Sequence, residues 1–306
     1  MKTVQLGKTD LQVPAIAVGC MRINGLEPAA AERFVQTALD EGAYFFDHAD
    51  IYSRGICEEV FADAIHMSPA VREKIILQSK CGIRPGIAFD FSKEHILSSV
   101  DGILKRLKTE YIDVLLLHRP DALVEPGEVA EAFDLLHSSG KVRHFGVSNH
   151  KPMQIQLLQK YVKQPLVANQ LQLSITNATM VAQGLHVNML DDAAVDRDGS
   201  VLDFCRLNDI TIQPWSPFQF GFFEGAFLGS EKYPELNTKI GEIAAKYSVS
   251  ATTIAMAWLL RHPANMQPVT GTTNVTRLKD CIKAGDIRLT RDEWYEIHMS
   301  AGNILP

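Results

Sequence analysis

Eight short β-rich runs alternate with amphipathic segments along this chain, and that alternation excludes most ways of folding it. The runs are AIAVG (15–19), YFFD ending at Asp47, KIILQSK ending at Lys80, YIDVLLLH ending at His118, RHFGVSN (143–149), LVANQ ending at Gln170, ITIQPWSP (210–217) and QPVTG ending at Gly271. Between them the apolar period changes to that of a helix. One helix opens at Pro28, carries Phe34, Val35, Ala38 and Leu39, and stops at Gly42. Another begins near Glu58, and Ser92 caps a third with Ile96, Leu97, Val100, Ile103, Leu104 and Leu107 on one face. Further helices are expected from Pro126 to a stop at Gly140, over Met153, Leu157, Leu158 and Tyr161, over Val201, Leu202 and Phe204, and around Ile240 and Trp258. A long irregular loop is expected after Gln170.

Strand–helix repetition of this kind builds a parallel sheet covered by helices. With 306 residues, no linker rich in Pro, Gly or Ser and no shift of composition, it predicts one α/β domain over residues 1–306, a single (β/α)8 TIM barrel. A doubly wound dinucleotide fold would want GxGxxG after its first strand, and no two glycines here are separated by one residue. Val4, Leu6, Leu11 and Val13 alternate about the turn Gly7-Lys8-Thr9-Asp10, which predicts an N-terminal β-hairpin able to plug one end of the barrel.

Charge narrows the partners. Thirty Lys and Arg against 36 Asp and Glu give a net charge of −6, which argues against nucleic acid. The uncharged stretch 164–190 is too rich in polar side chains to lie in lipid, and MKTVQLGKTDLQV has no signal-peptide core. The expectation is a cytoplasmic protein that binds neither nucleic acid nor membrane. Cys20, Cys57, Cys81, Cys205 and Cys281 form no CxxC pair and have no histidine at zinc-ligand spacing, so free thiols and no metal site are expected. Nothing in the sequence specifies an oligomeric state.

In a barrel of this type the chemistry sits where strands end and βα loops begin. Those ends carry Gly19, Asp47, Lys80, His118, Ser148-Asn149, Gln170, Trp215-Ser216 and Gly271-Thr272. Asp47, Lys80 and His118 each follow an apolar run, where an ionisable group needs a partner. A plain buried Asp47–Lys80 ion pair is one reading, and a perturbed active site is the other.

The surrounding motifs favour the second reading. GAYFFDHADIYSRGICEEVFADAI, LQSKCG, LLLHRPD, GKVRHFGVSN, ANQLQLS, PWSP and PVTGTTNVTRLKD occur in an order that resembles the aldo-keto reductases over nearly the whole chain. The resemblance implies a catalytic set of Asp47, Tyr52, Lys80 and His118 and an extended NADP(H) across the strand ends. Trp215 would stack on the nicotinamide, with Ser148, Asn149 and Gln170 near its carboxamide. Thr272, Thr273 and Arg277 would hold the 2′-phosphate, and Gly19, Cys20, Met21, Asp47, Ser216, Pro217, Phe218, Gly271 and Asp280 would complete the cofactor contacts. The bacterial oxidoreductase branch is the better match; His48, Cys20-Met21 and Cys281 depart from the commoner family pattern.

Each residue type also suits the chemistry. Hydride transfer to a carbonyl carbon builds negative charge on oxygen, so a proton donor and a positive field must wait there. An ammonium at Lys80 would draw the Tyr52 hydroxyl, ordinarily near pKa ~10, toward the working range. Asp47 would keep Lys80 charged, and neutral His118 would orient the carbonyl through a ring N–H. A Gly-Thr-Thr turn entering a helix suits a bound phosphate, a simple helix cap being the alternative.

The expected activity is reduction of a small aldehyde or ketone. Two alternatives share the barrel: a Schiff-base aldolase using Lys80, and a non-catalytic NADP(H)-binding sensor. The segment WSPFQFGFFEGAFLG, whose aromatics interleave with glycines, is expected to wall the substrate site and to favour apolar carbonyl compounds.

Overall fold

The computed structural model describes residues 2–306, and its eight-stranded parallel sheet curls into a barrel. In chain order the strands are β1 (Ala17–Gly19), β2 (Phe45–Asp47), β3 (Ile76–Cys81), β4 (Ile112–Leu117), β5 (Val142–Ser148), β6 (Leu166–Gln172), β7 (Thr211–Trp215) and β8 (Val269–Thr270). From β1 to β7 each strand pairs with its sequence neighbour, and β8 returns to β1 with Val269 opposite Ala17. Between β7 and the lead-in to β8 the contact narrows to one bridge. There the Ile212 amide donates to Asn265 and the Gln267 amide donates back to Ile212, both at 2.9 Å.

The helices follow from capping and face. Pro28–Asp40 opens on proline and ends ahead of Gly42, whose φ of +78° is left-handed, and Pro126–Ser138 repeats the device with Gly140 at +74°. Ser92 accepts from the His95 amide and starts Lys93–Leu107, which buries Ile96, Val100, Ile103, Leu104 and Leu107 against the sheet. Helix Pro152–Gln159 corrects the expected stripe. Met153, Leu157 and Tyr161 face solvent, while Ile155 and Leu158 face the barrel. The stretch read as one irregular loop contains a further helix, Thr179–Leu185.

The N-terminal strands Thr3–Gln5 and Gln12–Pro14 pair antiparallel, with Val4 opposite Val13. Leu6 and Val13 are fully buried and close the barrel floor against Phe45, Ile76, Val114, Leu116, Val167 and Val269. Gly7 makes this possible. Its φ is +55°, and a Cβ there would stand 2.6 Å from the Val167 carbonyl oxygen. All five cysteines are free and buried. Among the described residues no single helix is long and apolar enough to cross a membrane.

Candidate active site

At the carboxyl ends of the strands lies a cavity of about 680 Å³. Its wall includes Tyr52, Asp47 and His118 beside Ser148, Asn149, Gln170 and Trp215, and it runs to Gly271, Thr272 and Arg277. Lys80 is hidden behind this wall, fully buried. It donates to both Asp47 oxygens at 2.8 and 2.7 Å, to the His48 carbonyl at 2.7 Å and to the Tyr52 hydroxyl at 3.2 Å. The ion pair and the titratable cluster, left as alternatives by the sequence, are thus one arrangement.

Strand ends place these groups. The His48 amide donates to Gln78 and the Asp50 amide to Lys80, so the chain after β2 stays pinned along β3 as it leaves the barrel. It then turns sharply. Ser53, Arg54 and Gly55 all have left-handed φ, at 48°, 56° and 92°. A Cβ on Gly55 would lie 2.5 Å from the Arg106 side chain. The next helix, Ile56–Ala64, is clamped by buried Glu58, which accepts from Ser79 and Arg106, each at 2.7 Å.

Burial and charge divide the titrations. Burial disfavours charge on Lys80, but Asp47 and the Tyr52 hydroxyl outweigh it, and the ammonium is held above its ordinary value. Burial also pushes Tyr52 above the usual phenol value, and Lys80 offsets this only in part. The ammonium pulls in the expected direction, but burial outweighs it. His118 is pushed well below the usual imidazole range by burial, with help from Lys80 and Arg119, so its ring is neutral at pH 7. The Tyr52 and His118 rings meet edge to face, 6.1 Å apart. Asp50, two residues from Tyr52, is raised to about 7 by burial and by Glu58.

Beneath Asp47 lies a feature missing from the sequence reading. Gln78 and Gln170 donate to Asp47 Oδ1 at 2.6 and 3.0 Å, and both also donate to Gln213 Oε1. Gln213 in turn donates to Gln78 and Gln267, and Gln267 donates to the Pro14 carbonyl at 2.8 Å. Four buried glutamines therefore run through the barrel from Asp47 to the hairpin floor. A period-2 signal was available. Gln78 stands two residues before Lys80 and Gln213 two before Trp215, so each shares its neighbour's inward face.

The cofactor residues expected from sequence separate into two groups. Gly19, Met21, Asp47, Ser148, Asn149, Gln170, Trp215, Ser216, Pro217, Phe218, Gly271, Thr272 and Arg277 line the cavity, whereas Cys20, Thr273 and Asp280 do not. Cys20 is buried with its thiol toward the Val18 carbonyl, and Asp280 engages Thr253 through its backbone. Arg22, Arg119, Ile51, Ile83 and Thr252 join the wall without having been expected.

The residues fit an extended dinucleotide. Gln170 spends its amide nitrogen on Asp47 and Gln213, leaving its oxygen free to accept a carboxamide N–H. Trp215 is held by a 3.1 Å bond from its indole N–H to Asn149, and Phe223 lies nearly parallel to it at 6.0 Å. At the far end Asn274, not Thr272, caps helix Val275–Lys283, accepting from the Arg277 amide. Among the described residues the Arg277 guanidinium has no hydrogen-bond or ion-pair partner.

Comparison with known proteins identifies the family. The Aldo/keto reductase family model matches residues 15–300, and the chain belongs to that family. It is 38% identical to the uncharacterized oxidoreductase YcsN of Bacillus subtilis, over 97% of each chain. It is 32% identical to a 6-dehydroglucose reductase of Novosphingobium aromaticivorans, over 99% of this chain and 96% of that one. Among solved structures it resembles the thermostable aldo-keto reductase Tm1743 with a TM-score of 0.79 and 26% identity, covering 98% of this chain and 100% of that one.

Proposed function

We propose that the protein is an NADP(H)-dependent reductase that converts an aldehyde or ketone to an alcohol, with Tyr52 as the general acid. The carrying observation is the buried chain Asp47–Lys80–Tyr52, which opens into the cavity beside a neutral imidazole. When bound, the nicotinamide dinucleotide supplies the hydride.

The protein's own groups do the rest. Tyr52 Oη donates the proton that the developing alkoxide requires, and His118 donates a ring N–H to the same oxygen and fixes its position. Lys80 keeps positive charge behind Tyr52, so the phenolate left after proton transfer is stabilised where it forms. Asp47 anchors Lys80, and the glutamines anchor Asp47. Ser148, Asn149, Gln170 and Trp215 would hold the nicotinamide end, with Met21, Ser216, Pro217 and Phe218 along the cavity and Thr272 and Arg277 at the 2′-phosphate. Lys80 is ill suited to a Schiff base, because a raised ammonium with four acceptors around it is a poor nucleophile.

The test is NADPH oxidation by the purified protein against a panel of aldehydes, ketones and quinones. Saturable, carbonyl-dependent oxidation supports the reading; binding of NADPH with no turnover across the panel would move the sensor reading forward.

A further inference from the structure

Three guanidinium groups line the cavity: Arg22, Arg119 and Arg277. Two belong to its far end. Arg22 donates to the Gly271 carbonyl at 3.1 Å, and Arg277 stands in the helix that follows Gly271-Thr272. The third is elsewhere. Arg119 directly follows His118 at the end of β4, and its guanidinium carbon lies 5.6 Å from the centre of the Trp215 ring. It therefore stands at the Tyr52–His118–Trp215 end, apart from the groups suited to the cofactor's phosphates.

Arg119 is half-buried, and burial lowers it from the ordinary guanidinium value. Yet among the described residues it meets no carboxylate and makes no hydrogen bond. The nearby acids are committed elsewhere. Asp47 is paired with Lys80, and Asp121 accepts from the Phe91 and Leu123 amides. Partial desolvation of a fixed charge is unfavourable unless something in the cavity completes it, and a planar fork of donors matches a carboxylate. Phe222 and Phe223 pack on the same Trp215 ring, and Ile51 and Ile83 add further apolar surface to the cavity wall.

We infer that Arg119 reads a carboxylate on the carbonyl substrate, so that the preferred substrates are aldehydes or ketones with an apolar body and one acidic group. The inference rests on the reductase reading above and deepens it. The aromatic wall expected to select apolar compounds then selects only the body of the substrate, while Arg119 selects its charged end.

A related pair tests this: 4-formylbenzoate and its methyl ester, which share the ring and the aldehyde and differ at the charged end, so that comparing their ratio between wild type and variant cancels their unequal intrinsic reactivity. For the wild-type protein with NADPH, kcat/KM should favour the acid over the ester. In Arg119→Leu that ratio should fall roughly 10-fold or more, mainly through KM for the acid, and Arg119→Lys should restore part of it. A ratio that is the same in wild type and Arg119→Leu overturns the inference. So does a loss of NADPH affinity in Arg119→Leu with the ratio unchanged, since Arg119 would then serve the cofactor. Should the wild type reduce neither aldehyde, the reductase reading is what suffers. Calorimetric titration with benzoate in the presence of NADP+ then decides the anion site independently: binding by the wild type that is lost in Arg119→Leu supports it, and no binding by the wild type overturns it.

Discussion

Lys80 Nζ stands 3.2 Å from Tyr52 Oη while holding both oxygens of Asp47, so a single ammonium links the proposed acid to the charge that stabilises it. Because Lys80 has no exposed surface, its field acts on Tyr52 through protein rather than through water.

Removing the hydroxyl should therefore separate chemistry from binding. Tyr52→Phe is expected to fold and to quench tryptophan fluorescence with NADPH as the wild type does, yet to lose turnover by a factor of roughly 10²–10⁴. Wild-type rates in the Phe variant would remove Tyr52 from the mechanism.

The cofactor preference should reside at the other end of the cavity. Arg277→Ala should weaken NADPH by roughly 10-fold to 150-fold and leave NADH nearly unaffected, because a charge-assisted bond to the 2′-phosphate is worth about 1.5–3 kcal/mol. Tryptophan quenching by each cofactor measures it, and equal losses for both would mean that Arg277 acts elsewhere.

The glutamine ladder makes a stability prediction. Gln213→Leu would leave the amide oxygens of Gln78 and Gln267 without the donor they share, at a cost of about 1–3 kcal/mol for each buried oxygen. Urea unfolding should show that loss. A variant as stable as the wild type would mean that the ladder re-forms around water.

Buried histidines should make the protein acid-sensitive. His298 is fully buried with neither ring nitrogen bonded, stacked near Trp258 and Trp294, and burial lowers it to about 4. In the unfolded chain it takes up a proton below pH ~6.5, whereas the native ring does so only near 4, so its neutral form stabilises the fold fully above ~6.5. As pH falls from ~6.5 toward 4 the wild type should lose up to about 1.4 kcal/mol per pH unit relative to His298→Phe. Parallel stability curves for the two proteins would contradict this.

How much of this was legible depended on whether a residue's partner lay nearby in sequence. Helix caps at Ser92 and Pro126 and stops at Gly42 and Gly140 are local devices, and they appear where expected. Asp47, Lys80 and His118 announced themselves by ending apolar runs. The outward stripe Met153, Leu157 and Tyr161 misled because helical spacing marks a face without saying what covers it. The glutamine ladder was only half legible for a related reason: alternation puts Gln78 and Gln213 on inward faces, but the bond between them spans 135 positions, and a lone Gln in a strand does not name the amide it will meet across a barrel. Tyr52's raised value was hidden too, since sequence names the ammonium beside it but not the depth at which both are buried.

Closure of the barrel joins its first strand to its last, Ala17 to Val269, and Gln267 reaches back to Pro14 across 253 positions. A ribosome adding roughly 5–20 residues per second needs about 13–50 s to make that span. During this interval the emerging β1 edge has no β8 to pair with, and the hairpin has no finished floor to fill. For those tens of seconds the barrel cannot close, and the open strand edge is the part of the chain most exposed to wrong pairing.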